Sequence, residues 1–339
     1  MDLCAVDADG NTVCRGKLPL TGEELQSPTG RLSGALAAGF KRFVRENGLD
    51  TEKIAVYGVV LPGVIDYEKG MAVLPEGKST VRIGLREKLR EVLKTPVIVE
   101  DPARSLAYLA YKGGIERAEN FIYLYGDREV GCGVVINGSL YRGQSGLAGK
   151  IGHIQVEPDG SPCRCGGQGC LDTVASAEAL VRGARDLAGN GGWALGLELS
   201  GGDPGGISLQ TLRDAVDRDD ATARGLVERV AGYLGEALLL LLYTYNPELV
   251  LVGGALTGLG PYLMTSIQRY IDQQSPVSVR NMLRLVPCEF AEGIDSVGAA
   301  VQAFDHLFEV GRDDEPPPST PVTGSFVTDL ICSVLPRQH

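Results

Sequence analysis

The chain has 339 residues, with 43 acidic against 32 basic side chains, a net charge of −11 and 44% hydrophobic residues. That is enough chain for roughly two globular domains of about 150 residues, and it excludes wholesale disorder. The acidic balance argues against a nucleic-acid face spread over the chain. No apolar run approaches the ~18–20 residues of a membrane span, and the start MDLCAVDADG lacks a secretory leader, so a cytoplasmic protein whose eight Cys are thiols or metal ligands is expected.

In chain order, Leu3–Val6 is strand-like and runs through the Asp/Gly/Asn turn 7–11 into a returning strand, Thr12–Lys17. Leu32, Leu36, Phe40 and Phe43 recur at helical spacing within Arg31–Glu46, and Asn47-Gly48 supplies a stop. Ile54–Leu61 is a β-branched run ending at Pro62-Gly63. A short amphipathic helix is predicted over Leu85–Leu93, a strand over Val97–Val99 and a helix from Ser105 to Tyr111. Phe121–Tyr125 and Gly131–Asn137 read as strands, and Asn137-Gly138 has the composition of a type I′ hairpin turn. Helices are predicted over Ala177–Leu187, Leu209–Val216, Ala221–Tyr243, Tyr262–Ile271 and Ser296–Phe308. Leu249–Val252 and Leu283–Pro287 read as strands. This alternation predicts two α/β lobes. We place them at 1–106 with 296–310, and at 107–295. The Pro-rich segment 311–339 reads as a disordered tail, although Phe326–Val334 is apolar enough to dock.

The sharpest chemical signal lies in the second lobe. His153, one of only three His, precedes Cys163, Cys165 and Cys170 within a Gly-rich run. Three thiolates and one imidazole are the ligand set of a closed tetrahedral zinc site. The remaining Cys (Cys4, Cys14, Cys132, Cys288 and Cys332) are scattered and read as small core or surface residues.

The stretch Gly143–His153, followed by the Cys run and Gly169-Cys170-Leu171-Asp172-Thr173-Val174-Ala175-Ser176, resembles the ROK family of repressors, open reading frames and kinases. Leu61-Pro62-Gly63, Gly131-Cys132-Gly133, Asn246-Pro247-Glu248, Val252-Gly253-Gly254 and Gly298-Ala299-Ala300 add to the resemblance, which spans about residues 3–308. It implies an α/β, two-lobed actin-like ATPase, ribonuclease H-like fold. It also implies a structural Zn2+ on His153, Cys163, Cys165 and Cys170, with His153 also touching a sugar, and assembly as a homodimer or homotetramer. Family members are ATP-dependent sugar kinases or sugar-responsive repressors.

Measured against the kinase pattern, several positions depart. The chain opens at the strand that follows the family's Asp-x-Gly-Gly-Thr loop, so the first lobe is expected to lack its first strand. Asp127, Arg128 and Glu129 stand where a second Gly-rich phosphate cradle belongs, and a plain strand-to-strand turn is the simpler reading. The family's Asn-Asp-Ala-Asn aligns with Asp101-Pro102-Ala103-Arg104. That puts Pro102 at the base, where no proton can be accepted; a one-residue slip would make Asp101 the base. A family Glu is Lys150, and another is Asp172. The expected sugar contacts are therefore Asp101, Arg104, Lys150, His153 and Asp172. With Lys150 and Arg104 the ligand could be anionic, a sugar phosphate or sugar acid; alternatively Lys150 is solvated or paired with Asp101 or Asp172. Gly253 and Gly254 resemble the adenosine-side motif and equally suit a strand-to-helix turn. The expectation is a catalytically inactive sugar sensor of the repressor type, binding no DNA or membrane itself. The alternative is an ATP/Mg2+-dependent glucokinase or N-acetylhexosamine kinase.

Overall fold

A computed structural model describes residues 1–7, 11–21, 24, 28–76, 79–277, 283–290 and 294–309. The expected turn at 8–10 and the tail from 310 to 339, with Cys332, lie outside the described residues.

The chain order is β1 (Asp2–Val6), β2 (Thr12–Lys17), α1 (Pro28–Glu46), β3 (Tyr57–Val60), β4 (Val64–Asp66), β5 (Met71–Glu76), β6 (Ser79–Gly84), α2 (Leu85–Leu93), β7 (Val97–Glu100) and α3 (Pro102–Lys112). Then come β8 (Phe121–Gly126), β9 (Val130–Ile136), β10 (Ser139–Tyr141), α4 (Leu171–Ala175), α5 (Ala177–Gly189), α6 (Ala194–Leu199), α7 (Leu209–Asp217) and α8 (Ala221–Tyr245). β11 (Leu249–Gly253), α9 (Pro261–Gln274), β12 (Arg284–Pro287) and α10 (Ile294–Glu309) complete the described elements.

These elements form two compact units. The first comprises Met1–Ala118, Gly133–Ala148 and the described residues from Phe290 on; the second comprises Glu119–Cys132 and Gly149–Glu289. The boundary expected after residue 106 is corrected, because it would cut α3 in mid-helix. Ala103 to Ala107 are all buried on α3. A Cβ on Gly133 would meet Ala107 Cβ at 2.3 Å, so the 133–148 hairpin lies against α3 and belongs to the first unit.

In the first unit β1 and β2 pair antiparallel, β3 and β7 pair in parallel, and β4-β5-β6 form an antiparallel sheet that the sequence reading did not foresee. One apolar cluster holds them. Leu32, Leu36, Phe40 and Phe43 of α1 pack with Val59, Ile65, Leu85, Leu89, Val97 and Val99. α10 packs on α3, β3 and β1. α3 begins where it does because Asp101 caps it, its Oδ1 accepting from the Arg104 N–H at 3.1 Å, with Pro102 at the first helical position.

In the second unit β8, β11 and β12 run parallel, with Val250 beside Ile122 and Leu285. Every residue of β8 and β11 is buried, as a sheet covered on both faces requires. α8 is capped by Asp220 and ends at Asn246 in the left-handed conformation, φ 44°, which Asn tolerates at a helix end. β9 continues into the first unit, where it pairs with β10 through Asn137 (φ 49°) and Gly138 (φ 71°), the two positive angles of a type I′ turn.

Candidate functional site

The metal-ligand set comes together in the second unit. One atom each from His153, Cys163, Cys165 and Cys170 lies within 4.8 Å of the others. Cys165 Sγ is 3.7 Å from Cys170 Sγ, and Cys163 Sγ is 3.8 Å from His153 Nδ1. A tetrahedral Zn2+ with ordinary Zn–S and Zn–N lengths has ligand–ligand edges of about 3.6–3.8 Å, so the residues fit that ion. The loop closes through bridges between Gln155 and Cys170 and between Pro162 and Gln168. Gly169 is required there. Its φ is +63°, and a Cβ would fall 1.4 Å from the Glu157 carbonyl oxygen. Glu157 fastens the loop to α8, accepting from Arg229 at 2.9 Å and from the Tyr233 hydroxyl.

The electrostatics also suit a cation. Burial, foremost, holds the His153 imidazole below its ordinary pKa and so keeps it neutral; Asp172 pulls the other way, while Lys150 and Arg164 add to the lowering. Burial and the neighbouring thiols push Cys170 up to about 12. Burial also raises Cys165, but the Gly167 N–H and the other thiols outweigh it and hold that thiol low. Three adjoining thiols do not ionise together unaided, whereas a bound divalent cation makes them do so.

Asp172 sits beside this cluster, 7% exposed. Its Oδ1 accepts from the Val130 N–H at 2.6 Å, and its Oδ2 lies 3.7 Å from His153 Nδ1 and 3.9 Å from Arg164 Nη2. Lys150 is half-buried and acts on His153 from the same unit. Lys150, His153 and Asp172 are thus near neighbours, while Asp101 and Arg104 belong to the first unit.

Arg104 is corrected as a ligand contact. It is wholly buried, and its guanidinium is committed to the protein. Nε lies 2.7 Å from both Glu100 Oε1 and Asp101 Oδ2, Nη1 donates to the Gly146 carbonyl at 2.8 Å, and Nη2 donates to the Ile65 carbonyl at 3.0 Å. Asp101, 2% exposed, therefore serves as helix cap and ion partner. Pro102 occupies the first helical turn immediately after it.

Sequence reading missed the organiser of this cluster, Glu100. At 1% exposure it accepts from four donors: the Asp101 N–H (3.0 Å), Arg104 Nε (2.7 Å), Arg142 Nε (2.9 Å) and Gln302 Nε2 (3.2 Å). The available signal was a carboxylate closing the otherwise apolar run Val97-Ile98-Val99. A buried charge at such a place needs cationic partners.

The turn at Asp127–Glu129 is closed by its own bonds. The Asp127 N–H donates to the Glu129 carbonyl, and Asp127 Oδ2 accepts from the Tyr125 hydroxyl. At the end of β11 a Cβ on Gly253 would lie 1.9 Å from the Tyr123 hydroxyl, and Gly254 has φ +85°. Packing and backbone conformation alone account for both glycines. The other cysteines are placed as expected: Cys132 and Cys288 are buried, Cys4 and Cys14 half-buried. Among the described residues no helix is long and apolar enough to cross a membrane.

Comparisons with known proteins agree with this architecture. The chain is 30% identical to a glucokinase of Halalkalibacterium halodurans over 326 residues, covering 91% of this chain and 98% of that protein. It is 29% identical to the DNA-binding transcriptional dual regulator NagC of Escherichia coli over 259 residues, 76% of this chain but only 62% of the regulator. A ROK family glucokinase from Streptomyces griseus, solved with glucose and AMPPNP, superposes with a TM-score of 0.71 at 25% identity, covering 89% of this chain and 95% of that one. The family model described as ROK matches residues 1–304, and the chain belongs to the ROK family.

Proposed function

We propose that this chain is a sugar-binding ROK protein without phosphoryl-transfer activity, the ligand-sensing and self-associating part of a transcriptional regulator. The observation that carries the reading is the state of the segment 100–104. Pro102 stands at the position of the family's base, and the adjacent carboxylate, Asp101, is buried and engaged with Arg104. A general base must reach the hydroxyl proton it takes; Pro102 has no acceptor to offer, and the Asp101 carboxylate is paired with the Arg104 guanidinium instead. The acidic turn 127–129 supports the same reading, since carboxylates repel nucleotide phosphate. In this proposal Lys150, His153 and Asp172 contact the sugar, a structural Zn2+ on His153, Cys163, Cys165 and Cys170 shapes their surroundings, and the assembly is a homodimer or homotetramer in the cytoplasm. The net charge of −11 supports action through sugar binding rather than DNA contact by these residues.

A second reading has its own support, the 30% identity across 98% of a glucokinase. Under it the chain is an ATP/Mg2+-dependent hexose kinase, with Asp101 as base and Gly253-Gly254 beside the nucleotide. Titration calorimetry with glucose and N-acetylglucosamine, paired with an ADP-release assay on the same sugars, tests the proposal. Binding without turnover supports the sensor, and turnover supports the kinase.

A further inference from the structure

In the first unit β1 pairs with β2 alone and β3 with β7 alone among the described residues, so each has an edge without a partner strand. Burial marks both as inner strands that lack a neighbour. All four residues of β7 are buried, whereas only Val59 of β3 and only Leu3 of β1 are. Apart from Asp2, neither β1 nor β3 carries the charged residues or Pro that blunt an open edge.

The backbone directions identify the groups at these edges. Met1 and Leu18 exchange N–H···O bonds at 3.1 and 2.9 Å, so Leu3 and Ala5 also turn their backbone groups to β2, and Cys4 turns away. The Tyr57 and Leu61 N–H groups donate to the Pro96 and Glu100 carbonyls at 3.0 Å, so Val59 turns to β7 while Gly58 and Val60 turn away. One helix covers both edges. The Cys4 side chain hydrogen-bonds with Ser296 of α10, and a Cβ on Gly58 would lie 2.3 Å from the Ala299 carbonyl oxygen, about one helical turn further along. On the opposite face Leu3 and Val59 share one apolar cluster with α1. A helix is about 10–12 Å across, and a strand placed between two others needs about 9.6 Å, twice the usual spacing. The edges of β1 and β3 thus bound a slot one strand wide, with α10 on one face and the α1 cluster on the other.

The chain carries a segment of matching length and character outside the described residues. Leu330-Ile331-Cys332-Ser333-Val334 has five residues, as β1 has, and no charge. Its side chains are apolar or small at every position, as a strand covered on both faces requires. Asp329 precedes it, and Pro336 stops any extension soon after. The connection also suffices. α10, the helix over the slot, ends at Glu309, and the 20 residues 310–329 lie between it and the segment. At about 3 Å per residue they span up to about 60 Å, more than twice the ~24 Å length of the 16-residue α10.

We propose that residues 330–334 enter this slot as an added strand and join β2-β1 and β3-β7 into one five-stranded sheet. Main-chain bonds to Cys4 on one side and to Gly58 and Val60 on the other hold the strand, and its alternate side chains meet α10 and the α1 cluster. The pairing does not depend on whether the chain senses or phosphorylates sugar.

The test is amide hydrogen exchange, resolved to single residues by NMR, on the full chain, on Ile331→Pro and on Ser319→Pro. Pro at 331 removes an N–H from the middle of the added strand, and Ser319→Pro, in the connection, is the control. The N–H groups of Cys4, Gly58 and Val60 should exchange about 100-fold or more slowly in the parent and in Ser319→Pro than in Ile331→Pro, while Val59, bonded to β7, changes far less. Nuclear Overhauser contacts between residues 330–334 and Cys4 or Gly58, measured on the parent itself, are the second readout and decide the matter should Ile331→Pro fail to fold. Equal exchange at Cys4, Gly58 and Val60 in the parent and Ile331→Pro, whether fast or slow, overturns the proposal, as does the absence of those contacts. Protection that fades as dilution turns a dimer into monomers also overturns it, and would assign the slot to a second copy of the chain.

Discussion

Replacing Arg104 by Met keeps most of the side-chain volume but removes the guanidinium from between two buried carboxylates. Glu100 would retain the Asp101 N–H, Arg142 and Gln302, whereas Asp101, 2% exposed, would lose its ion pair with Arg104. The carbonyls of Ile65 and Gly146 would each lose a donor. Breaking a buried ion pair by removing one partner costs about 3–5 kcal/mol. At about 2–4 °C per kcal/mol for a unit of this size, Tm should fall by about 6–20 °C. Differential scanning calorimetry measures this, and a double-mutant cycle identifies the cause. Asp101→Asn, which can still cap α3, should recover part of the loss in the Arg104→Met background, because it neutralises the stranded carboxylate. If Arg104→Met unfolds within about 2 °C of the parent, the guanidinium is not committed to the protein. Arg104 would then return as a ligand contact.

Two further outcomes are expected. Zinc analysis should find about one Zn2+ per chain, falling to near zero in Cys165→Ser, with a lowered Tm on chelation because metal binding adds to folding free energy; full zinc content in that variant would refute the assignment. Glu157 has its pKa held below 4.5 by the Tyr233 hydroxyl first and then by Arg229. Its contribution is therefore complete above about pH 4.5 and lost as pH falls through the lower folded value. Between pH 6 and 3 the parent should lose stability more steeply than Glu157→Gln, as followed by urea unfolding, and parallel profiles would contradict this.

The parts of the site legible in the sequence were those written locally. The metal set spans only His153 to Cys170, and the Pro at 102 can be read from one position. The hub at Glu100 was not legible, because its partners lie 42 residues away at Arg142 and 202 away at Gln302, and nothing local links them. Arg104 was misassigned because a sequence shows a charge and not its burial. The same limit applies to the fold. The strand Thr12–Lys17 and the helix Leu85–Leu93 follow from their own periodicity. The β4-β5-β6 sheet was missed because its buried residues, Ile65, Ala72, Leu74 and Ile83, are spread thinly among Gly, Pro and charged neighbours. The 133–148 hairpin was assigned to the wrong lobe because its contact with α3 is a Gly133–Ala107 approach between small residues that no pattern announces.

The central claim is that segment 100–104 cannot supply a catalytic base. Its most direct test is ADP release by the zinc-loaded chain with ATP, Mg2+ and a panel of glucose, N-acetylglucosamine, mannose and N-acetylmannosamine, each sugar first shown to bind or not by calorimetry. The account predicts sugar binding with ADP release no faster than in the absence of sugar. Sugar-dependent turnover that disappears in Asp101→Asn would contradict it, and would show Asp101 released from Arg104 to act as the base.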